Sequence, residues 1–260
     1  MRDAFVDFAR EISVEAGTIL LRGFRSGATV ISHKSSTELV TDADRESEAL
    51  LVARISKQFP THAIIAEEGS RKEASGGFTW YVDPLDGTNN FAHGLPFFCV
   101  SIGVFSVDLR RVVAGVVYNP FIKEMFTAER GKGAFLNGTK IRVSDLEDIG
   151  NSLVATGFPY DKAVSEENNL REFNRIITRI QGIRRMGSAA IDLCYVACGR
   201  LDGYWEGKLK SWDMAAGSLV VEEAGGMVTR YDGGEFHPEF PEIAASNGKI
   251  HSQLLSLLSE

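Results

Sequence analysis

Residues 80–91 have the sequence WYVDPLDGTNNF, in which an apolar segment leads directly into two aspartates three positions apart. The aromatic-rich residues 78–82 predict a strand. Pro84 stiffens the turn after this strand, because its ring fixes the backbone angle φ. Asp83 and Asp86 can reach adjacent cations, since carboxylate oxygens are the ligands that hard divalent cations prefer. The stretch therefore predicts a strand that ends in a candidate metal site.

Residues 85–88 add the parts of an anion site. The carbonyl of Leu85 is a further hard oxygen ligand, and Gly87 has no side chain that would block a phosphate. If a short helix starts at Gly87 or Thr88, its free N–H groups and its dipole favour an anion. The alternative is an ordinary acidic turn capped by Asp86, which this short motif alone does not exclude.

Glu67 and Glu68 follow residues 63–66, an apolar segment that predicts a second strand. The end of a neighbouring strand would place a third carboxylate near Asp83, and Glu67 is better placed for this than Glu68. The alternative is that both are solvated acids of a loop.

The acidic residues 42–48 have two interpretations. Thr41 and Asp44 have the spacing of a capping box at the start of a helix. The segment also resembles the first half of a calcium loop, but Ser47 stands where that loop requires glycine and Ala53 where it requires the closing glutamate. An EF-hand is therefore excluded, and from the residues alone the cap is favoured for Asp44.

Residues 212–217 (WDMAAG) place Asp213 beside small residues at the start of a predicted helix. Taken alone, Asp213 is best explained as an acid that complements the helix dipole.

The hydrophobic pattern predicts alternating helices and strands along the chain. The predicted helices are an N-terminal one ended by Gly23, residues 42–57, residues 165–181, one entered through residues 187–190, residues 211–224 and a short last one. The predicted strands are residues 63–66, 78–82, 97–107, 111–118, 125–143, 153–156, 227–231 and a last strand, with a hairpin turn at Asn137-Gly138 and an exposed loop at residues 69–77.

This order predicts a mixed α/β fold in layers. Residues 1–260 form a single unit in this interpretation. A soft boundary near residues 145–150 divides it into an α+β part (1–146), which binds metal and phosphate, and an α/β part (147–260), which completes the site.

Composition narrows the class of protein. The 260 residues are 44% hydrophobic and carry a formal net charge of −7, which argues against a nucleic-acid surface because backbone phosphates require clustered Lys and Arg. A charged N-terminal segment and the lack of an apolar run of ~18 residues predict a cytoplasmic protein without membrane contact. Three cysteines without a Cys-x-x-Cys pair indicate neither a disulfide framework nor a zinc site.

Together, these motifs resemble those of the inositol monophosphatase family, in the same order and over nearly the whole chain. The matching segments are residues 39–44 (LVTDAD), 66–68 (AEE), 80–91, 187–190 (GSAA) and 212–217. The resemblance implies a layered αβαβα sandwich of the sugar-phosphatase type, a homodimer, sensitivity to lithium, and two or three Mg²⁺ ions per active site.

The resemblance also implies roles for individual residues. The magnesium ligands would be Glu67, Asp83, the Leu85 carbonyl, Asp86 and Asp213. Thr88 with Asp44 would orient and deprotonate the attacking water, and Asp83 would join them in catalysis. The N–H groups of Gly87 and Thr88 would hold the phosphate, while the polyol would contact Gly187, Ser188, Ala189, Glu206 and Asp213. Lys34 and Glu68 would be auxiliary residues near the metals.

The implied reaction is the hydrolysis of a small polyol phosphate monoester, with inositol 1-phosphate as the expected substrate. Fructose 1,6-bisphosphate and histidinol phosphate are alternative substrates for the same fold. A haloacid-dehalogenase-type phosphatase is disfavoured, because its two aspartates are two positions apart whereas Asp83 and Asp86 are three apart. A non-enzymatic alternative is a regulatory protein that binds a protein partner in transcription or RNA processing.

Overall fold

The structure, a computed structural model, describes residues 3–26, 31–33, 39–73 and 75–259. The helices are α1 (Asp3–Ser26), α2 (Asp42–Gln58), α3 (Thr88–Ala92), α4 (Leu170–Ile177), α5 (Ala189–Ala197), α6 (Ser211–Glu223) and α7 (His251–Ser259). The strands are β1 (Ile31–His33), β2 (Leu39–Thr41), β3 (Ala63–Ala66), β4 (Arg71–Lys72), β5 (Phe78–Asp86), β6 (Cys99–Ser106), β7 (Arg111–Asn119), β8 (Glu124–Glu129), β9 (Gly133–Leu136), β10 (Thr139–Lys140), β11 (Leu153–Thr156), β12 (Gly182–Arg184), β13 (Gly203–Gly207), β14 (Met227–Thr229) and β15 (Glu242–Ser246).

In the described part of the chain, the strands form two large sheets and one small hairpin. The first sheet has the order β10-β9-β8-β7-β6-β5-β3-β4, and the second has the order β12-β11-β13-β15-β14. Helices α1 and α2 cover one face of the first sheet, α5 and α6 lie between the two sheets, and α4 and α7 cover the outer face of the second. This arrangement confirms the predicted αβαβα sandwich. The division into subdomains stays a prediction.

The N-terminal helix is longer than predicted. Its buried residues Phe5, Ile12 and Leu20 recur at helical spacing and pack on the first sheet. The helix does not end at Gly23, as predicted, but continues to Ser26. A Cβ at Gly23 would lie 3.2 Å from the Cβ of Ala43, so this glycine allows α1 to approach α2 closely rather than stopping the helix.

The prediction for the second half of the chain was wrong in two places. The helix predicted over residues 165–181 is α4 alone, and it begins after Asn169, which has a φ of 66°. The buried side chain of Asn169 donates to Thr156 Oγ1 and accepts from Trp205 Nε1, both at 2.7 Å, and these bonds fix the helix start. Strands β12 and β13 were not predicted, although both pair in parallel with β11.

Two segments of the first sheet contain more strands than the sequence predicted. The loop predicted over residues 69–77 contains β4, which pairs antiparallel with β3. Residues 125–143 form three short strands, and the predicted hairpin at Asn137-Gly138 is confirmed by φ angles of 49° and 80°.

A β-bulge in β5 positions the site. Strand β5 continues through Asp86, and Asp83 pairs with Ser101 while Asp86 pairs with Cys99, so three steps along β5 match two along β6. In a regular strand Asp83 and Asp86 would point to opposite faces. The extra residue at the bulge changes this alternation, and both aspartates line one cleft.

Two glycines bring α6 against the first sheet. Gly103 in β6 and Gly115 in β7 are paired neighbours. A Cβ on Gly103 would lie 2.7 Å from the Cβ of Ala215, and one on Gly115 would lie 2.8 Å from the carbonyl oxygen of Ala216. Both positions therefore require glycine for α6 to lie as close to the sheet as it does.

We expect Gly103→Ala to reduce the free energy of unfolding by about 1–3 kcal/mol, because the added methyl group overpacks this contact. The matched control is Gly203→Ala in β13, where a Cβ would meet its nearest atoms at an ordinary 3.4 Å. Urea denaturation of both variants measures the difference. Equal stability of the two variants would contradict the close packing of α6.

Candidate active site

An open cleft with a volume of about 380 Å³ lies where β5, the turn after β3, the start of α5 and the start of α6 meet. Acidic side chains from β5, the turn after β3, the start of α6 and β13 line it, namely Glu67, Glu68, Asp83, Asp86, Glu206 and Asp213. Asp83 is 1% exposed. Most of the residues that the sequence predicted to act together therefore lie around one cavity.

The two aspartates of β5 are desolvated and repel their neighbours. Burial raises the pKa of Asp83 well above its usual range, and the charges of Glu67, Asp86 and Asp213 raise it further. Burial also raises the pKa of Asp86, although hydrogen bonds oppose the shift. Asp86 Oδ2 accepts from Ser188 Oγ at 2.7 Å and from the N–H of Ala190 at 2.8 Å, at the N-terminus of α5.

Asp213 is part of a helix cap and also lines the cleft. Its Oδ2 accepts the N–H of Lys210, the residue before α6, at 2.7 Å. This is the carboxylate half of a capping box, since the lysine side chain has no acceptor for the other half. Burial raises the pKa of Asp213 well above its usual range, and the charges of Asp86 and Glu67 add to the shift. From the sequence, Asp213 was either an acid at a helix start or a residue of the site. In the structure, it begins α6 and also lines the cleft.

Asp44 has the same double position. Its Oδ2 accepts the N–H of Thr41 at 2.8 Å and the hydroxyl of Thr41 at 2.5 Å in the predicted capping box of α2. Its Oδ1 accepts from Thr88 Oγ1 at 3.1 Å. Burial raises the pKa of Asp44 to about 6, against the opposing effect of the bonds from Thr41. Asp44 is therefore both a cap and the partner of Thr88.

The segment between Asp83 and Thr88 is held by its own hydrogen bonds. Asp83 Oδ1 accepts the N–H of Leu85 at 3.0 Å, and the Leu85 carbonyl accepts from Thr88 Oγ1 at 2.9 Å. Gly87, which precedes α3, has a φ of 92°, and a Cβ there would lie 2.8 Å from the carbonyl oxygen of Phe97. Only glycine fits this conformation and this close approach.

The residues predicted to contact the polyol line the same cleft as the carboxylates. Gly187, Ser188 and Ala189 line it, but the hydroxyl of Ser188 donates to Asp86. Glu206 accepts from Tyr204 Oη at 2.5 Å. The surrounding protein desolvates Glu206 and raises its pKa to about 7, against the opposing effect of the Tyr204 bond.

Comparison with known proteins identifies the family. The model of the inositol monophosphatase family matches residues 1–260. The chain belongs to this family. Inositol-1-monophosphatase of Synechocystis sp. is 44% identical over 256 residues, which cover 98% of this chain and 88% of that protein. The chain is therefore a phosphoric monoester hydrolase.

Two further relatives extend the comparison. The solved structure of inositol monophosphatase from Anabaena (Nostoc) has a TM-score of 0.90 at 41% identity, covering 99% of this chain and 96% of that one. Nus factor SuhB of Pseudomonas aeruginosa is 41% identical over 259 residues, which cover 97% of this chain and 95% of that protein.

The cleft of this inositol monophosphatase family member fits the metal dependence of the family. Among the described residues, no three acidic, histidine or cysteine side chains are placed so that they could hold a metal ion. The donors are nevertheless all hard oxygens, and Asp83, Asp86 and Asp213 lie close enough to disturb one another's protonation. A divalent cation would relieve this repulsion, so the donor set fits such an ion.

Some residues fall outside the prediction, and one predicted residue cannot be placed. Lys34 lies outside the described residues. Sequence reasoning missed Gly157, where a Cβ would collide with the carboxylate of Glu206, and Asn90, whose amide donates at 2.8 Å to the carbonyls of both Phe97 and Met186. Their contacts join segments distant in the chain, which no local pattern reveals.

None of the described helices is long and apolar enough to cross a membrane.

We expect Glu206→Gln to flatten the dependence of stability on pH in metal-free protein. A carboxyl whose folded pKa is raised from 4.5 to about 7 contributes stability that is present below pH 4.5 and is lost as the pH rises to about 7. Melting temperatures in EDTA between about pH 5 and pH 8 measure the effect. A variant whose melting temperature falls as steeply as that of the wild type would contradict the shifted pKa.

Proposed function

We propose that this chain hydrolyses a small polyol phosphate monoester, with inositol 1-phosphate giving inositol and phosphate, in a reaction that depends on magnesium. One observation carries the proposal: the carboxylates Glu67, Asp83, Asp86 and Asp213 meet at one cleft whose neighbouring segment holds the Thr88–Asp44 hydrogen bond. The identity to inositol-1-monophosphatase of Synechocystis supports the choice of substrate.

Two or three Mg²⁺ ions would be held by Glu67, Asp83, the Leu85 carbonyl, Asp86 and Asp213. When bound, magnesium supplies the positive charge that lets a dianionic phosphate enter an acidic cleft, and it makes water a better proton donor. The protein alone supplies less positive than negative charge there, because carboxylates outnumber the basic side chains Arg185, Lys208 and Lys210 in the lining of the cleft.

Thr88 and Asp44 form the proton path in this proposal. Thr88 Oγ1 lies within hydrogen-bond distance of Asp44 Oδ1 and of the Leu85 carbonyl, and it carries a single hydrogen. When Thr88 donates this hydrogen to Asp44, its lone pairs can accept a hydrogen bond from water. Thr41 holds the other oxygen of Asp44. A pKa of about 6 suits a general base near neutral pH, since most of Asp44 is then ionised and it still binds a proton readily.

The remaining residues bind and orient the substrate. The N–H groups of Gly87 and Thr88, at the start of α3, would hold the phosphate. Gly187, Ser188, Ala189 and Glu206 would face the polyol, and a carboxylate in this position accepts hydrogen bonds from ring hydroxyls.

The first test of this function is Asp83→Asn. We expect its magnesium-dependent activity to fall at least about a hundredfold, more than most outer-shell changes cause. Its metal-free stability should stay equal or rise, because the amide removes the repulsion from Glu67, Asp86 and Asp213. Phosphate release with MgCl₂ or EDTA and urea denaturation measure both effects.

The control is Asp7→Asn, which makes the same chemical change on an exposed side chain of α1. Near-normal turnover by folded Asp83→Asn protein would rule out the proposed site.

A bisphosphate is a second candidate substrate, and one observation favours it. Arg185, Lys208 and Lys210 line the same cleft as the carboxylates. Lys208 has a φ of 60°, a strained conformation for a residue with a side chain, and its Nζ donates to Asp161 at 2.8 Å and to Ser165 at 2.6 Å. These basic groups would favour a second anionic group, as in fructose 1,6-bisphosphate, over the cationic part of histidinol phosphate.

We expect kcat/KM for inositol 1-phosphate to exceed that for phosphoserine and for fructose 1,6-bisphosphate, because Glu206 matches a hydroxyl-rich ring. Glu206→Ala should reduce the preference by about 1–3 kcal/mol, as a polar contact is lost. Steady-state assays with the three substrates measure it. A tenfold preference for fructose 1,6-bisphosphate that disappears in Lys210→Gln would instead establish the bisphosphate function.

Several finer features stay proposals drawn from the family resemblance: sensitivity to lithium, a homodimer, a cytoplasmic location, and the two subdomains. The similarity to Nus factor SuhB supports a regulatory protein partner as an additional role.

A further inference from the structure

Helix α2 carries a buried polar face that the proposed chemistry only partly uses. Asp44, Ser47 and Glu48 are spaced i, i+3 and i+4, which places them on one side of the helix. Asp44 contacts Thr88, and Ser47 Oγ donates to the carbonyl of Pro84 at 3.0 Å. Glu48, only 4% exposed, contacts the turn that carries Glu67.

The backbone N–H groups of residues 67–70 show what Glu48 does. The N–H of Glu67 donates to the Val82 carbonyl at 3.2 Å, and that of Gly69 donates to the Ala66 carbonyl at 3.4 Å. The N–H groups of Glu68 and Ser70 donate to a side chain instead. Glu68 N–H donates to Glu48 Oε2 at 2.6 Å and Ser70 N–H donates to Glu48 Oε1 at 3.0 Å.

A carboxylate is needed for this pair of bonds. Both donors are N–H groups, so both atoms at the end of the side chain must be acceptors, and only an ionised carboxylate offers two. A glutamine would place its NH₂ group against one of the two N–H donors. Bonds from N–H groups to a charged acceptor are also stronger than bonds to a neutral one.

The turn matters because Glu67 stands at its start. The Glu67 carboxylate lies within hydrogen-bonding reach of Asp83, and its charge acts on both Asp83 and Asp213. A change in the path of residues 67–70 would therefore alter the distance between Glu67 and the aspartates. Asp83 itself would keep its place through the β6 pairing.

We propose that Glu48 is a positioning residue: by accepting the N–H groups of Glu68 and Ser70, it holds the turn that places Glu67 beside Asp83 for magnesium binding. This inference rests on the proposed magnesium-dependent function. Glu48 touches neither the substrate nor the reacting atoms. Its effect reaches the cleft only through the backbone of residues 67–70.

The test compares Glu48→Gln with Glu46→Gln in the full chain. Glu46 lies on the same helix, but its side chain is 53% exposed and pairs with Arg22. The two variants lose the same charge, and only one loses an acceptor in the turn. The measurements are calorimetric titration with MgCl₂ alone, the magnesium dependence of phosphate release, and urea denaturation.

We expect Glu48→Gln to bind magnesium about tenfold more weakly and to need about tenfold more magnesium for half-maximal activity, as is typical when an outer-shell partner is lost. Its kcat at saturating magnesium should stay within about threefold of wild type, and Glu46→Gln should match wild type throughout. If Glu48→Gln does not fold, Glu48→Asp, which keeps the charge but shortens the reach, should show the same loss of affinity.

Equal magnesium affinity in the Glu48 and Glu46 variants would overturn the inference and leave the proposed function intact. So would a loss of kcat or of stability in Glu48→Gln without a loss of affinity. Wild-type protein that neither binds nor requires magnesium would overturn the proposed function, and the inference with it.

Discussion

The repulsion among desolvated carboxylates is the constraint on which the architecture of this cleft depends. Asp83, Asp86 and Asp213 are desolvated and lie within electrostatic reach of one another, which favours their neutral forms. The fold opposes this by giving each of them a backbone N–H donor. These donors are the N–H groups of Leu85, Ala190 and Lys210. Each bond also fixes the direction of its carboxylate before any cation binds.

The donors come from irregular or terminal backbone, because regular secondary structure has no N–H groups to spare. The β-bulge supplies the one at Leu85, and the first turn of α5 supplies the one at Ala190. For Asp44 and Asp213, the donor belongs to the helix cap itself. A capping box uses one carboxylate oxygen and leaves the second for other contacts, so a cap and a functional site are compatible uses of one residue.

Local patterns in the sequence predicted the parts of the fold that local forces determine. The strand leading into Asp83, the capping box at Thr41 and the hairpin at Asn137-Gly138 each depend on a few adjacent residues. The αβαβα order of the layers and the inclusion of Asp44 and Asp213 in the site came from the family resemblance. The family is confirmed.

The missed features depend on contacts between distant segments. Strands β12 and β13 are short, and they exist because β11 lies between them. The start of α4 depends on the buried bonds of Asn169 to Thr156 and Trp205. The sequence does contain a signal for Glu48. Asp44, Ser47 and Glu48 lie on the same side of α2 as the apolar residues Leu51 and Ile55, which that helix buries. The acidic composition of residues 42–48 instead predicts an exposed segment, because charged residues are usually solvated.

In the proposed function, one set of cleft residues would bind cations and another set would discriminate among substrates. The lining of the cleft holds the carboxylates of β5, α6 and the turn after β3, and it also holds Arg185, Lys208, Lys210 and Glu206, which bring both charge signs. The aspartates accept hydrogen bonds from the backbone of β5 and from the starts of α5 and α6. Lys208 donates instead to Asp161 and Ser165, which lie outside the helices and strands. In this proposal, substitutions around Lys208 would change which phosphate monoester fits while leaving the hydrogen bonds of the carboxylates in place. The same fold can in this way keep one hydrolytic chemistry while its choice of substrate changes.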